Sequence, residues 1–195
     1  MDNEIKNNII EEKILDKYNY YHPYMWKRHL SKEIVDKFHI GYDKDTNSIT
    51  FPVWDIKNNL VLITKRSVDS KKFYIDKAKE KPVYLLNYLI NNNITTAYIC
   101  ESQINALTLQ GYGYPGVAML GGGSKEQYEI LKKSGIRNYI LCFDGDLAGD
   151  EDIERFIKYM PKDILISVKV MPRDGRDIND LTKEEFDSLP IKVIY

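Results

Sequence analysis

Acidic residues stand directly behind three short apolar runs. Glu101 follows Tyr98-Ile99-Cys100, Asp144 and Asp146 follow Tyr139-Ile140-Leu141-Cys142-Phe143, and Asp174-Gly175-Arg176-Asp177-Ile178-Asn179-Asp180 comes just after the run ending at Val170. Carboxylates gathered on one rim raise each other's pKa unless a cation lies between them. Mg²⁺, or Mn²⁺ in its place, suits such a rim, because it takes oxygen ligands, often one or two per ion from protein, and keeps positions for water and phosphate. Paired ions can stabilise both the attacking and the leaving oxygen of a phosphoryl transfer. Taken singly, Asp144-Gly145-Asp146 reads as a structural turn, and Asp150 or Glu151 as the cap of the next helix. Three acidic groups at successive strand ends favour the metal site.

The elements that must position these acids can be read from periodicity. Short β-rich runs at 97–100, 116–120, 138–143 and 165–170 alternate with helix-length segments at 102–110, 125–134 and 151–160. Such alternation predicts an α/β fold: a parallel four-stranded sheet with helices on both faces. Ligands of open sheets of this type bind beyond the carboxyl ends of the strands, where the acids fall. Gly121-Gly122-Gly123-Ser124 joins a strand to a helix without the Gly-Lys-Ser/Thr order of a Walker A loop. Its N–H groups can receive a phosphate, or it is a tight connection with Ser124 as cap.

Upstream, the pattern predicts a small α+β N-terminal lobe. Apolar spacing suggests helices from Glu4 to about Tyr18, from Pro23 to Leu30, and after a Ser31 cap, with Gly41 ending the helical region. The runs 49–54 and 60–63 read as a hairpin in which Pro52 sits at an edge or bulge. Lobes spanning 1–94 and 95–195 are expected. Net charge is −1, yet eight basic residues meet three acidic ones between Lys57 and Lys81, while thirteen acids face seven bases between Asp144 and Asp187. One lobe suited to a polyanion and another suited to divalent cations would show such a split. The stretch from Lys57 to Lys81, with Phe73 and Tyr74 available for stacking, reads as a nucleic-acid track rather than only a solvated face.

Two cysteines at the ends of apolar runs, no CxxC pair and three histidines without ligand spacing argue against a structural zinc site and for a reducing setting. The lack of a leader-like start or an 18-residue apolar run leads us to expect a soluble, cytoplasmic protein with no membrane partner.

Glu101-Ser102-Gln103-Ile104-Asn105-Ala106-Leu107, Phe143-Asp144-Gly145-Asp146-Leu147-Ala148-Gly149 and Gly175-Arg176-Asp177-Ile178-Asn179-Asp180-Leu181, in that order, resemble the TOPRIM domain of DnaG-type DNA primases, type IA and II topoisomerases and some nucleases. The Asp-Gly-Asp-x-Ala-Gly form is most like the primases. Tyr24–Tyr42, Phe51–Asp55, Lys65-Arg66 and Lys72-Phe73-Tyr74 are similar to the primase segments ahead of the catalytic domain. The resemblance implies Glu101, Asp144 and Asp146 as catalytic residues and, with Asp177, Asn179 and Asp180, as the Mg²⁺ set. Lys65, Arg66, Lys71, Lys72 and Lys81, with Gly122, Gly123 and Ser124, form the expected nucleic-acid and nucleotide contacts. Asn105 and Asn179 depart from the family pattern, standing where acids are usual, and Ser102 replaces a frequent Gly.

The implied activity is RNA primer synthesis on single-stranded DNA from NTPs, in a minimal, phage-like chain without a zinc-binding module, with a replicative helicase or other replisome protein as a further partner. A TOPRIM nuclease and a non-catalytic nucleic-acid-binding or regulatory TOPRIM module are the alternatives. Topoisomerase chemistry is disfavoured, since no separate domain offers a nucleophilic Tyr.

Overall fold

The computed structural model describes residues 9–70, 72–74 and 81–195. Lys71 of the expected basic track lies outside the described residues, as do Lys77, Lys79 and the start of the first expected helix. The chain divides into two compact units, one ending at Pro82 and the other running from Val83 to Tyr195. Within the second unit Tyr84 pairs with Ala118, donating at 2.8 Å and accepting at 3.1 Å.

In the first unit a 3₁₀ helix occupies Glu12–Tyr18, within the described part of the helix expected from Glu4 to Tyr18. Ahead of it, Ile10 donates its N–H to Leu60 O at 2.7 Å, a partner outside any local helix. Tyr18 then packs with Leu60 and Ile63, with Ile10, Leu15 and Trp54 against them. Helices α1 (Pro23–Lys27) and α2 (Lys32–Lys37) follow; Ser31 caps α2 by accepting from the Ile34 N–H at 3.2 Å. Strands β1 (Gly41–Asp43), β2 (Ser48–Trp54), β3 (Leu60–Ser67) and β4 (Phe73–Tyr74) form an antiparallel sheet in that order. Pro52 lies past the end of β1 and next to a bulge at Val53/Trp54, where a missing N–H costs least.

The second unit begins with α3 (Leu86–Asn91) and continues β5 (Thr96–Cys100), α4 (Gln103–Gly111), β6 (Gly116–Ala118), α5 (Lys125–Lys133), β7 (Asn138–Leu141), α6 (Leu147–Tyr159) and β8 (Leu165–Lys169). A 3₁₀ turn (Ile178–Asp180), α7 (Lys183–Ser188) and β9 (Ile191–Val193) complete it. The sheet order is β6-β5-β7-β8-β9; the first four strands are parallel and β9 is antiparallel. The expected four-stranded parallel sheet is therefore corrected to a mixed sheet of five. All three residues of β9 are exposed, so the segment carries none of the alternation that marks a half-buried strand.

Side chains of a strand alternate between faces, and here that places helices on both. Tyr139 on β7 meets Phe156 of α6 at a centroid distance of 5.3 Å, while Tyr98 on β5 meets Phe186 of α7 at 6.4 Å. Tyr139 aligns with Ala97 and Tyr98 with Ile140, so the two tyrosines point to opposite faces. Ile99, Leu107, Val117, Leu131, Leu141, Phe156 and Ile166 are fully buried between the layers, and both cysteines are buried free thiols.

Candidate active site

The site begins with strand register. β5 and β7 are neighbours with Ile99 opposite Leu141, and the Cys142 N–H donates to Ile99 O at 2.7 Å. Adjacent strands lie about 4.8 Å apart, so residues just past the two C-terminal ends emerge side by side. Those residues are Glu101 and Asp144. Both are half-buried, and Glu101 Oε1 and Asp144 Oδ1 are buried with no hydrogen-bond partner among the described residues.

Electrostatics agrees with this placement. Burial, and then the charge of Asp144, push Glu101 up to about 7, partly offset by the Asp144 backbone N–H, with smaller contributions from Asp152 and Asp146. Asp144 is pushed up to about 6 by burial and then by Asp177, Asp146 and Asp180. The segment of Asp144 is thus coupled on one side to Glu101 and on the other to Asp177 and Asp180. Leaving a buried oxygen unpaired costs about 1–3 kcal/mol, a cost kept where it serves a function.

The turn that carries Asp144 depends on close backbone approach. A Cβ on Gly149 would collide with the Asp144 carbonyl, so the chain can fold back over the strand end only with glycine there. Asp146 is exposed and serves as the N-cap of α6, its Oδ1 accepting from the Gly149 N–H at 2.8 Å. The cap is therefore Asp146, not Asp150 or Glu151 as the sequence suggested, and α6 starts four residues earlier than expected. Asp177 likewise turns onto its own segment, accepting from the N–H groups of Asn179 at 2.9 Å and Asp180 at 3.2 Å, while Asp180 Oδ2 accepts from the Asp177 N–H at 3.1 Å. Asn179 is buried: its N–H donates to Asn105 Oδ1 at 3.3 Å and its side-chain amide to Thr108 Oγ1 at 2.9 Å.

Among the described residues no three His, Cys, Asp or Glu side chains form a preassembled metal group. The structure brings Glu101 and Asp144 together, with the other acids acting on them through space and holding local turns. Two unpaired buried carboxylate oxygens fit Mg²⁺, which needs only one or two protein ligands alongside water and phosphate.

Beside this rim lies the glycine turn. Ser124 caps α5 in a reciprocal box, accepting from the Gln127 N–H at 3.3 Å and donating its own N–H to Gln127 Oε1 at 2.9 Å. Gly121 donates to Glu101 O at 3.3 Å. Arg155 Nη1 donates to Gly122 O at 2.6 Å and to Asp152 Oδ1 at 2.5 Å. Neither Asp152 nor Arg155 was marked by the sequence; an acid and a base three residues apart on a helix look like any surface pair.

In the first unit, Lys65 Nζ is 2.7 Å from the buried Asp43 carboxylate, so its charge is met internally. Burial pushes Asp43 up, but Lys65, the Thr46 hydroxyl and the Asp45 N–H together hold it below the ordinary carboxylate value. Arg66 Nε donates to the Tyr24 hydroxyl at 2.9 Å. Lys72 and Lys81 are exposed, as are Phe73 and Tyr74 on the edge strand β4, which pair with Arg66 and Lys65 respectively.

Residues 98–182 match the family model described as Toprim-like, a span that holds Glu101, Asp144, Asp146, Asp177 and the glycine turn. A DNA primase of Clostridium acetobutylicum is 28% identical over 162 residues, which are 77% of this chain and 27% of that protein, so the chain spans about a quarter of its relative. The DnaG primase catalytic domain bound to single-stranded DNA superposes with a TM-score of 0.76 at 20% identity, covering 91% of this chain and 75% of that one. The primase fragment of the bacteriophage T7 primase-helicase protein gives 0.63 at 21%, covering 94% and 80%. The chain thus shares the α/β fold of DnaG catalytic cores. Among the described residues no helix is long and apolar enough to cross a membrane.

Proposed function

We propose that this chain is the catalytic core of a DnaG-type primase, making short RNA primers on a single-stranded DNA template by nucleotidyl transfer from NTPs in the bacterial cytoplasm. The observation that carries the reading is the pair of buried, unpartnered oxygens on Glu101 and Asp144 at adjacent strand ends of a Toprim-like domain. Glu101 and Asp144 would hold Mg²⁺, with Asp146 and Asp177 near enough in charge to favour it. When bound, the ion supplies charge neutralisation for the triphosphate and for the departing pyrophosphate.

The protein's own part is positioning and electrostatics. Glu101 would be held in its charged form by the ion, which would offset the burial and the Asp144 charge that raise it in the metal-free chain. The Gly149 approach and the Asp146 cap fix the Asp144 turn, so its carboxylate needs no rearrangement during the reaction. In the first unit, exposed Lys72 and Lys81 suit template phosphates and exposed Phe73 and Tyr74 suit base stacking. A replicative helicase is a fitting further partner, since the T7 relative is described as a primase-helicase.

The test is primer synthesis on single-stranded DNA with NTPs and Mg²⁺ or Mn²⁺. The wild-type chain should extend and Asp144→Ala should not; synthesis that survives Asp144→Ala, or a wild-type chain without product, overturns the assignment.

A further inference from the structure

The glycine turn after β6 is held in an unusual shape from one side. Leu120, Gly121 and Gly123 have φ of 57°, 114° and 81°. For the buried Leu120 this is a left-handed conformation that L residues adopt only where their surroundings impose it. The turn is tied at its start by the Gly121 N–H on Glu101 O and at its end by the Ser124 cap. Its middle is tied by Arg155, through the 2.6 Å bond to Gly122 O. Arg155 is in turn fixed by Asp152, a carboxylate only 6% exposed. The junction is closely packed: a Cβ on Gly122 would stand 2.7 Å from Arg155 Nη1 and 2.8 Å from Asp152 Oδ1.

The direction of the tie matters. In a trans peptide the C=O and N–H point opposite ways, so seating the Gly122 carbonyl on Arg155 aims the Gly123 N–H away from α6. Helix α6 also begins at the Asp146 cap behind Asp144, so one rigid element sets both the aspartate turn and the glycine turn on either side of Glu101.

We propose that Arg155 is a positioning residue: clasped to Asp152, it holds the Leu120–Gly123 turn in its left-handed shape beside Glu101 and thereby sets affinity for the nucleoside triphosphate. The proposal rests on the primase reading for the identity of that ligand. Because the clasp is read in the glycine turn itself, it can fail independently of primer synthesis.

The experiment uses Arg155→Met, Arg155→Lys, Gly122→Ala and the double variant Arg155→Met/Gly122→Ala in the full chain. Amide hydrogen exchange across residues 119–124 is measured without substrate; Mg·ATP binding, and KM and kcat for primer synthesis, are measured with it. Arg155→Met and Gly122→Ala should each speed exchange of the turn about tenfold and weaken Mg·ATP binding and raise KM about tenfold, with kcat changed less than threefold. Arg155→Lys, which keeps a donor at the junction, should recover most of both effects. The double variant should be no worse than either single one, because both break the same junction. Unchanged exchange in Arg155→Met, a loosened turn with unaltered Mg·ATP binding, or additive losses in the double variant each overturn the proposal. Absence of primer synthesis by the wild type overturns the primase reading instead, while exchange and Mg·ATP binding still decide the clasp.

Discussion

The backbone N–H of Asn179 donates to the side-chain oxygen of Asn105 across 3.3 Å, tying the acidic turn after β8 to the first turn of α4. Both residues are 2% exposed, and Thr108 one turn further along α4 accepts from the Asn179 amide. The two positions that depart from the acids usual in the TOPRIM pattern this sequence resembles are thus joined to each other. An amide oxygen there accepts without adding a charge to an already acidic rim.

Asn105→Ala should therefore destabilise the chain by about 1 kcal/mol, since it removes one of two acceptors of the Asn179 N–H, the other being Asp177 Oδ1 at 2.9 Å. Urea unfolding of the variant checks this; an unchanged midpoint would mean the Asn179 turn is held by other contacts.

Metal-free stability should fall as pH rises. Glu101 and Asp144 are raised in the folded chain to about 7 and about 6, so the fold binds their protons more tightly than the unfolded chain does. Their favourable contribution is complete below the ordinary carboxylate range and is lost as pH climbs through 6 to 7. Thermal melts in EDTA should drop by roughly 5 °C between pH 5 and pH 8, about 2 kcal/mol for a chain of this size. Added Mg²⁺ should restore the loss at pH 8 and do little at pH 5. A melting temperature that is flat or rises with pH would remove the shared-pocket reading.

Asp146 has two separable duties. Asp146→Asn keeps a good N-cap for α6 and should melt within about 0.5 kcal/mol of wild type, whereas Asp146→Ala should lose about 1 kcal/mol. Both variants should be impaired in primer synthesis if its charge counts. Full activity in Asp146→Asn would confine this residue to capping.

Lys65→Met leaves the Asp43 carboxylate buried without its partner and should cost about 3 kcal/mol at pH 7. Asp43 is held below its ordinary value, so the ion pair's contribution is present above that range and disappears as pH falls through the folded value. The stability gap between wild type and variant should narrow toward pH 3. A gap independent of pH would point to lost packing of the Lys65 stem instead.

The acidic rim was legible because each acid directly follows a strand, and strand ends can be read from apolar runs. Side-chain direction was not. Whether Asp146 or Asp150 caps α6 depends on how closely Gly149 can approach Asp144 O, a backbone matter that no periodicity reports. The pairing of Ile10 was not legible for a related reason, since its partner Leu60 stands fifty residues away. β9 was missed because its three exposed residues pair through backbone alone. The Arg155 link to Gly122 spans 33 residues and joins a helix to a turn, so it became visible only in three dimensions.

The pairing of Tyr84 with Ala118 has a bearing on assembly. It occupies the outer rim of β6, and β9 occupies the outer rim of β8, so the parallel strands offer no open hydrogen-bonding flank at those two places. A neighbouring chain seeking to extend this five-stranded sheet at its β9 end meets the far side of Ile191–Val193, where Lys192 puts a charge in the middle of a three-residue stretch. Addition of a strand to that edge should therefore be weak until Lys192 is neutralised.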